Sequence, residues 1–333
     1  MKIIQDLSSI SEPFTSAAIT IGNFDGVHTG HQALFQEVIR QAGAMGGVSV
    51  AMTFEPHPLR VITQHSHPPL ITLYEQKAEL IEKSGIDILI GIPFTLEFSA
   101  ISARAFVEDI LVRQIGTKAI VVGEDYTFGN KREGDVALLR KLGQEMNFSV
   151  IVSDWIHSAN GSASRVSSTR IRQLVMDGDM ETAACMLGRY YQICGTVAHG
   201  RDRGGRLLGI PTANIVLEDG LCPKPGVYAV TVQYADTLYP AVANIGYSPT
   251  FGDHVFTVEA HLLDFDKNIY GQRIRVNFVR RLRDEVRFSG LDELVRQIHQ
   301  DIADARLILA PVLTPPCCRE MTASHPIQVS RSC

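Results

Sequence analysis

The pattern of apolar residues changes once along this chain, close to Gln192. Before that point, β-branched apolar runs alternate with stretches whose apolar residues recur at helical spacing. The runs are "AAITIG", "VSVAMTF", "IDILIGI", "KAIVVG" and "FSVIVS". Because this alternation is typical of a parallel sheet wrapped by helices, the first part of the chain is predicted to be an α/β domain.

After Gln192, several runs alternate strictly between apolar and polar residues, and Gly, Pro and Asp separate them. They are "QICGTV", "GVYAVTVQY", "LYPAVANIG", "VFTVEAHLL" and "RIRVNFV". This pattern predicts a small antiparallel β-barrel. A final helix is expected after it, with Ser289 and Asp292 as a capping pair. Its apolar stripe consists of Leu291, Leu294, Val295, Ile298 and Ile302.

The length of 333 residues is about twice the common domain size, which agrees with two domains. We assign residues 1–186 to the first domain, which we expect to fold separately, and residues 187–309 to the second. Residues 310–333 begin with "APVLTPPCC" and have no periodicity, so we expect a disordered tail.

The charge and the apolar content exclude several classes of protein. A net charge of -5, with cations interleaved among acids, gives no reason to expect nucleic acid as a partner. No apolar run approaches the roughly 18 residues of a membrane span, and no leader peptide is evident. The six cysteines have no metal-ligand spacing. We therefore expect a cytoplasmic protein with no membrane contact and no obligate protein partner.

The stretch "IGNFDGVHTGHQAL" follows an apolar run and precedes a helical pattern, so it is predicted to be a strand-to-helix turn. Ligands bind beyond the carboxyl ends of parallel strands, where helix N-termini present free N–H groups to phosphate. His28 and His31 can donate to phosphate oxygens, and Gly22, Gly26 and Gly30 allow tight turns and close approach. Transfer of a nucleotidyl group is the chemistry suggested, although core or surface histidines are the alternative.

A second element, "RVSSTRIRQL", contains Ser167, Ser168 and Thr169 at the predicted start of a helix. Hydroxyls and N–H groups there can hold phosphate, and Arg172 can neutralise a leaving pyrophosphate. The alternative is a helix cap with a solvated arginine.

Between these two elements lies "VVGEDYTFGNKREGD", which is predicted to be a strand followed by a polar loop. Asp125 and Arg132 could face the nucleotide or the second substrate from that loop. A polar loop without a role in binding is the alternative.

The glycine-rich stretch "HGRDRGGRLLGIPTANI" combines Gly200, Gly205 and further glycines with cations such as Arg206. Such a loop can fold over polyphosphate, although a flexible surface loop is equally consistent. It leads into Thr212 and Asn214, whose neutral oxygens suit a magnesium ion that already carries phosphate oxygens.

Glu259 lies in "FTVEAHLLDF" on the strand face opposite Val258 and Ala260, since side chains alternate along a strand. Alternation alone favours a solvent-facing carboxylate. A general base for an alcohol is the alternative.

Together these elements resemble the bacterial bifunctional riboflavin kinase/FMN adenylyltransferase (FAD synthetase) family, from about Ile19 to Arg306. The resemblance in the first part is carried by "GNFDGVHTGH", "VVGEDYTFG" and "VSSTRIR". In the second part it is carried by "GRLLGIPTANI", "PKPGVYAV", "ANIGYSPTF", "VEAHLLDF" and "LRDEVRF". Eight motifs in the same order are highly specific.

The resemblance implies two activities. A Rossmann-like nucleotidyltransferase domain would join FMN to the AMP of ATP, giving FAD and pyrophosphate. A barrel would phosphorylate riboflavin with ATP and Mg²⁺, giving FMN and ADP. A single-activity nucleotidyltransferase with a binding barrel and a flavin-sensing regulator are the rival functions. A likeness of the histidine turn to aminoacyl-tRNA synthetases is set aside because no basic face is evident.

The resemblance also implies roles for individual residues. His28, His31 and Arg172 would act in adenylyl transfer. Asp125 and Arg132 would belong to the loop that binds FMN. Glu259 would be the general base of the kinase reaction. Thr212 and Asn214 would contact magnesium and phosphate. Implied ATP or phosphate contacts are Gly22, Phe24, Gly26, Gly30, Ser168, Thr169, Gly200, Gly205 and Arg206.

Overall fold

The computed structural model describes residues 1–63, 67–154, 165–198, 210–217, 220–248 and 255–313. Its first part contains a six-stranded parallel sheet in the order β1-β4-β3-β2-β5-β6. The strands are β1 (Lys2–Ile4), β2 (Ala17–Ile21), β3 (Ser49–Glu55), β4 (Ile88–Pro93), β5 (Thr117–Gly123) and β6 (Ser149–Ser153). The predicted α/β domain is therefore confirmed.

Helices cover both faces of the sheet. They are α1 (Thr29–Met45), α2 (Pro58–Ile62), α3 (Tyr74–Lys83), α4 (Leu96–Ser99), α5 (Ala103–Ala105), α6 (Val136–Met146), α7 (Ser168–Asp177) and α8 (Met180–Leu187). A π-helical segment, Phe106–Gln114, continues α5, and short 3-10 segments lie at Leu7–Ser9 and Asn130–Arg132.

Alternate residues of the strands enter two different apolar clusters. Ile19 and Ile120 pack on one face with the π-helical segment, whereas Ala18 and Val121 pack on the other face with α1 and α3. Because both faces are buried, the strands read as continuous apolar runs in the sequence.

The second part is a closed barrel of antiparallel strands in the order β10-β11-β8-β7-β12-β9, which confirms the predicted barrel. The strands are β7 (Tyr191–Ala198), β8 (Ala213–Leu217), β9 (Gly226–Tyr234), β10 (Thr237–Ser248), β11 (Val255–Leu262) and β12 (Arg273–Arg283). Tyr228, Ala243 and Phe278 are among the fully buried side chains of its interior.

The apolar cluster inside the barrel extends into the last two helices of the first part. Leu174 and Val175 of α7, and Met180, Ala183 and Leu187 of α8, belong to the same cluster as the inward-facing barrel residues. The junction between the two parts is therefore a packed interior.

The last helix, α9 (Leu291–Leu313), packs on the outside of the barrel. Ala305 and Leu309 form a small cluster with Ala229 of β9 and Val279 of β12. A bidentate ion pair between Arg283 and the buried Asp301 holds the helix against the end of β12. Within the described residues, no helix is both long enough and apolar enough to span a membrane.

Two details of α9 differ from the sequence prediction. Ser289 donates through its N–H and its hydroxyl to Glu293, not to Asp292, so the capping partner lies one residue further along. The helix also continues to Leu313, where Val312 and Leu313 pack against the barrel, so Ala310–Leu313 are not part of a tail. The rest of the predicted tail lies outside the described residues.

Candidate functional sites

The histidine turn joins β2 to α1 through an unusual backbone. Phe24, Gly26 and Val27 have φ values of 47°, 87° and 39°, which L residues other than glycine rarely adopt. Phe24 is buried and packs edge-on against His31, with ring centroids 5.3 Å apart. A Cβ at Gly22 would lie 2.9 Å from the Phe24 ring, so only glycine fits there. Phe24 thus belongs to the core beneath the turn.

His28 caps α1 with its own ring. Its Nδ1 accepts the N–H of His31 at 3.3 Å, and a Cβ at Gly30 would lie 3.1 Å from that ring. Since Nδ1 accepts, the neutral ring of His28 carries its proton on Nε2. Burial lowers the pKa of His28 to about 4, so the ring is an uncharged N–H donor at neutral pH.

His31 stacks on His28, with ring centroids 3.6 Å apart and an interplanar angle of 15°. Burial, followed by electrostatic interaction with His28, Lys77 and Arg189, lowers the pKa of His31 well below its usual value. Within the described part of the chain, Nδ1 of His31 is buried without a hydrogen-bond partner. Such an atom is costly unless a ligand satisfies it.

Asp25 connects the histidine turn to α7. Its carboxylate accepts the backbone N–H groups of Ile71 and Thr72, at 2.9 Å and 3.1 Å, and Nη2 of Arg172 at 2.6 Å. Its carbonyl accepts the hydroxyl of Ser168 at 2.8 Å. The two predicted phosphate motifs therefore meet at a residue that sequence reasoning missed. The available signal was a lone carboxylate within a glycine-rich turn.

Arg172 is not the open cation that the sequence suggested. The Arg172 side chain is only 11% exposed, and Nε donates to the carbonyl of Pro69 at 2.8 Å while Nη2 pairs with Asp25. Ser167 caps α7 by accepting the N–H of Arg170, which confirms the predicted helix start. Thr169, one residue into the helix, is exposed.

The polar loop follows β5, the strand next to β2. The strand order reverses between these two strands, and ligands bind at such switch points. Asp125 pairs with Arg165, just before α7, at 2.6 Å, so the loop and the second motif also meet. Arg132 is exposed on a short 3-10 segment. Arg165, whose charge also acts on His28, was not singled out from the sequence.

The second site lies on the outer wall of the barrel. Glu259 of β11 is directly opposite Asn214 of β8 on one side and Asn244 of β10 on the other. Side chains that oppose each other in antiparallel strands point to the same face, so these three form a polar row. Val258 and Ala260 point into the barrel core. Burial raises the pKa of Glu259, which is not the freely solvated carboxylate that alternation favoured.

Helix α9 and the chain after β12 lie over Glu259 and Asn244 and border a partly open cavity of about 350 Å³. Glu259, Asn244 and Thr212 line it together with apolar residues of the barrel and the helix. A neighbouring cavity of about 160 Å³ is lined by Pro211 and also by Thr212. Thr212 thus stands where the two cavities meet, whereas Asn214 lines neither.

His261 is a further residue of this wall. It lies two positions after Glu259 on the same face, and its Nδ1 is 2.7 Å from the carbonyl of Pro211. That contact fixes the segment that carries Thr212. The signal in the sequence was that His261 lies two residues after Glu259, a spacing that puts both side chains on one face of the strand. The predicted phosphate contacts Gly200, Gly205 and Arg206 lie outside the described residues.

A histidine-bearing turn at the carboxyl end of a parallel sheet, joined to a barrel whose outer cavity contains a carboxylate, suits a two-site transferase of phosphorus-containing groups. Comparisons with known proteins agree. The sequence model of the FAD synthetase family matches residues 11–170, and that of the riboflavin kinase family matches residues 187–309.

Whole-length relatives carry both parts. The bifunctional riboflavin kinase/FMN adenylyltransferase of Escherichia coli (strain K12) is 38% identical over 92% of this chain and 97% of its own length. That of Listeria monocytogenes is 38% identical over 88% of this chain and 92% of its own. A crystal structure described as a macrolide-efflux protein from Streptococcus pneumoniae has a TM-score of 0.82 at 31% identity, covering 91% of this chain and 98% of that one.

The chain therefore belongs to the family of bifunctional riboflavin kinase/FMN adenylyltransferases. It is an enzyme with both activities, and riboflavin, FMN, FAD and ATP are its substrates and products.

Proposed function

We propose that the two activities are divided between the two parts of the chain. Adenylyl transfer occurs at the histidine turn within residues 1–186, and phosphorylation of riboflavin occurs under α9 within residues 187–309. The observation that carries the kinase assignment is the cavity of about 350 Å³ into which Glu259 faces and which meets its neighbour at Thr212.

In the adenylyl transfer, an oxygen of the FMN phosphate attacks the α-phosphorus of ATP, and the bond to the leaving pyrophosphate breaks. His28 is suited to this reaction because its neutral Nε2–H can donate to a phosphate oxygen without a change of protonation. The N-terminus of α7 provides further donors through the backbone N–H groups of Ser168 and Thr169 and the hydroxyl of Thr169, since the hydroxyl of Ser168 already donates to Asp25. Asp125 and Arg132 would face FMN from the loop after β5.

Arg172 supports this site through Asp25 in our proposal. Its Nη2 is committed to the Asp25 carboxylate, which in turn holds the backbone at Thr72. The pair fixes α7 relative to the histidine turn, so that donors from both elements converge on the same phosphates. A direct contact between Arg172 and pyrophosphate would require that buried pair to open.

In the kinase reaction, the terminal ribityl hydroxyl of riboflavin attacks the γ-phosphorus of ATP, and ADP leaves. Glu259 accepts the proton of that hydroxyl. Its raised pKa brings its basicity closer to neutral pH, where a general base is most effective. The isoalloxazine ring would occupy the apolar part of the cavity, beside Val242 and Ile298.

Magnesium fits the chemistry of the donors here. Thr212 and Asn214 supply neutral oxygens, and Mg²⁺ usually combines a few protein oxygens with phosphate and water. When bound, the ion would neutralise charge on the transferred phosphoryl group. Within the described residues, no group of three or more His, Cys, Asp and Glu side chains could hold a metal ion, so phosphate would complete the coordination.

The assignment is tested by incubating the purified protein with riboflavin, ATP and magnesium and separating FMN from FAD by chromatography over time. FMN should appear first and FAD after it. Supplying FMN in place of riboflavin should give FAD without the initial lag. FAD from FMN with no product from riboflavin would remove the kinase assignment.

A further inference from the structure

Arg189 lies between the two parts of the chain, after α8 and Gly188 and before β7. It belongs to the segment that matches the riboflavin kinase family, yet its guanidinium reaches the histidine turn of the other part. Nη2 donates to the carbonyl of Gly26 at 2.7 Å, and Nη1 donates to the carbonyl of Val27 at 3.2 Å. Nη1 also donates to the carbonyl of Leu187 at 3.3 Å.

Both carbonyls belong to residues of the turn with positive φ, and one of these residues, Val27, is not a glycine. Val27 is β-branched and has a φ of 39°, a conformation that persists only when its surroundings hold it. Gln32 also contributes, since its Nε2 donates to the carbonyls of Val27 and Leu187, at 2.9 Å and 3.0 Å. His28 is the next residue after Val27, so the direction of its ring depends on the hydrogen bonds that Arg189 and Gln32 donate to the Val27 carbonyl.

The charge of Arg189 also acts on the turn. Burial lowers the pKa of Arg189 to about 10, so the guanidinium stays protonated at neutral pH. After the larger effect of burial, this charge contributes to lowering the pKa of His28 and that of His31. Arg189 therefore helps to keep both rings neutral.

We propose that Arg189 is a positioning residue for adenylyl transfer, holding the carbonyls of Gly26 and Val27 so that His28 presents its Nε2–H to ATP. The proposal rests on the assignment of the histidine turn to ATP binding. A planar guanidinium can reach both carbonyls at once, whereas an ammonium is a single point of donation. A residue of the kinase part thus completes the geometry of the adenylyltransferase site.

The test uses the full-length chain with Arg189→Met and Arg189→Lys. Because a misplaced donor acts on the transition state more than on binding, kcat for FAD formation from FMN should fall roughly 30-fold to 100-fold for Met. The KM for ATP should change less than kcat. Lysine should restore part of the rate, to about a tenth of the parent value, and riboflavin phosphorylation should stay within about twofold for both.

Arg275→Met is the matched control. Arg275 makes a bidentate ion pair with Glu79, which also joins the barrel to the first part, but it does not touch the turn. It should leave both activities near the parent values. An equal loss of FAD formation in Arg275→Met and Arg189→Met would mean that general loosening of the junction is the cause, and would overturn the proposal.

Two further comparisons decide the remaining outcomes. If Arg189→Met does not fold, Arg189→Lys with intact kinase activity carries the test, and a parental kcat for FAD formation in that variant rejects the proposal. His28→Ala separates the proposal from the assignment beneath it. Parental FAD formation in His28→Ala overturns the ATP site itself, whereas impaired His28→Ala with normal Arg189 variants overturns only the role of Arg189.

Discussion

The histidine turn and the barrel cavity are the two sites that we propose for reactions of ATP, and they are built in opposite ways. In the turn, the geometry depends on a strained backbone with positive φ at Phe24 and Val27, held by partly buried hydrogen bonds. In the barrel, Glu259 lies on a regular strand, and the register with Asn214 and Asn244 positions it. The position of a side chain in the turn therefore depends on many other residues, whereas the position of Glu259 depends chiefly on its strand and on helix α9 beside it.

Of the changes that test this comparison, Glu259→Gln should have the largest effect on activity. The amide keeps the size of the side chain but cannot accept a proton at neutral pH, so riboflavin phosphorylation should fall by roughly 10² to 10⁴. FMN already carries its phosphate, so FAD formation from supplied FMN should remain near the parent rate. Both rates can be measured by chromatography of the flavins. Near-parental phosphorylation in the folded variant would end the assignment of Glu259 as the base.

His28→Ala should have the next largest effect. Loss of one transition-state donor should slow FAD formation from FMN by about 10² to 10³. Phosphorylation of riboflavin should hardly change, because His28 does not line the barrel cavity that contains Glu259. Equal losses in both assays would indicate misfolding or a shared site, and would erase the contrast between the two regions.

A smaller, graded effect is expected when the rate of riboflavin phosphorylation is measured at decreasing pH. Burial raises the pKa of Glu259 above its usual value of 4.5. A base works only when deprotonated, so kcat for phosphorylation should fall as pH falls through that raised pKa, by about tenfold per pH unit below it. FAD formation should lack this fall. A fall in the kinase rate that persists unchanged in a residually active Glu259→Gln enzyme would assign the titration to another group.

The smallest effect concerns the stability of the protein. The folded pKa of His28 is about 4, below the unfolded value of 6.5, so the unfolded chain takes up its proton first as pH falls. The free energy of unfolding should therefore drop between pH 6.5 and pH 4, by at most about 1.4 kcal/mol per pH unit from this residue.

The variant His28→Asn isolates that contribution. Asparagine is a good helix cap, so it keeps an acceptor at the start of α1 while removing the titrating ring. Urea unfolding measured between pH 7 and pH 4.5 should show a shallower loss of stability in the variant. Identical slopes would show that His28 is not buried as described.

Much of the fold could be predicted because apolar patterns reflect burial directly. The five runs of the first part became β2 to β6, and the alternating runs of the second became β7 and β9 to β12. Two strands were missed, β1 and β8. Strand β1 has only three residues, which is too short for a periodic signal, and β8 begins inside the glycine-rich stretch that was interpreted as a loop. The extension of α9 through Pro311 was missed because its support is a contact with the barrel.

The sites were harder to predict for reasons that also lie in tertiary contacts. Alternation placed Glu259 on the outer face of β11, but could not indicate that α9 covers that face. Arg172 looked like an open cation because its partner, Asp25, lies 147 residues away in the sequence. Arg189 belongs to none of the motifs, since its contacts are with backbone carbonyls, which any residue provides.

The apolar cluster that runs from α7 and α8 into the barrel has a consequence for how this chain can be divided. A cut between Met186 and Leu187 would follow the boundary that we propose between the two activities, but it passes through the buried apolar cluster rather than through a linker. The first fragment would expose the apolar side chains of α7 and α8 to water. The second fragment would lose the helices that pack against the apolar cluster of the barrel. Sticky surfaces of that kind promote aggregation. The two parts therefore exclude water from one shared apolar cluster. Separating them would require hydrophilic side chains on the newly exposed faces of both fragments.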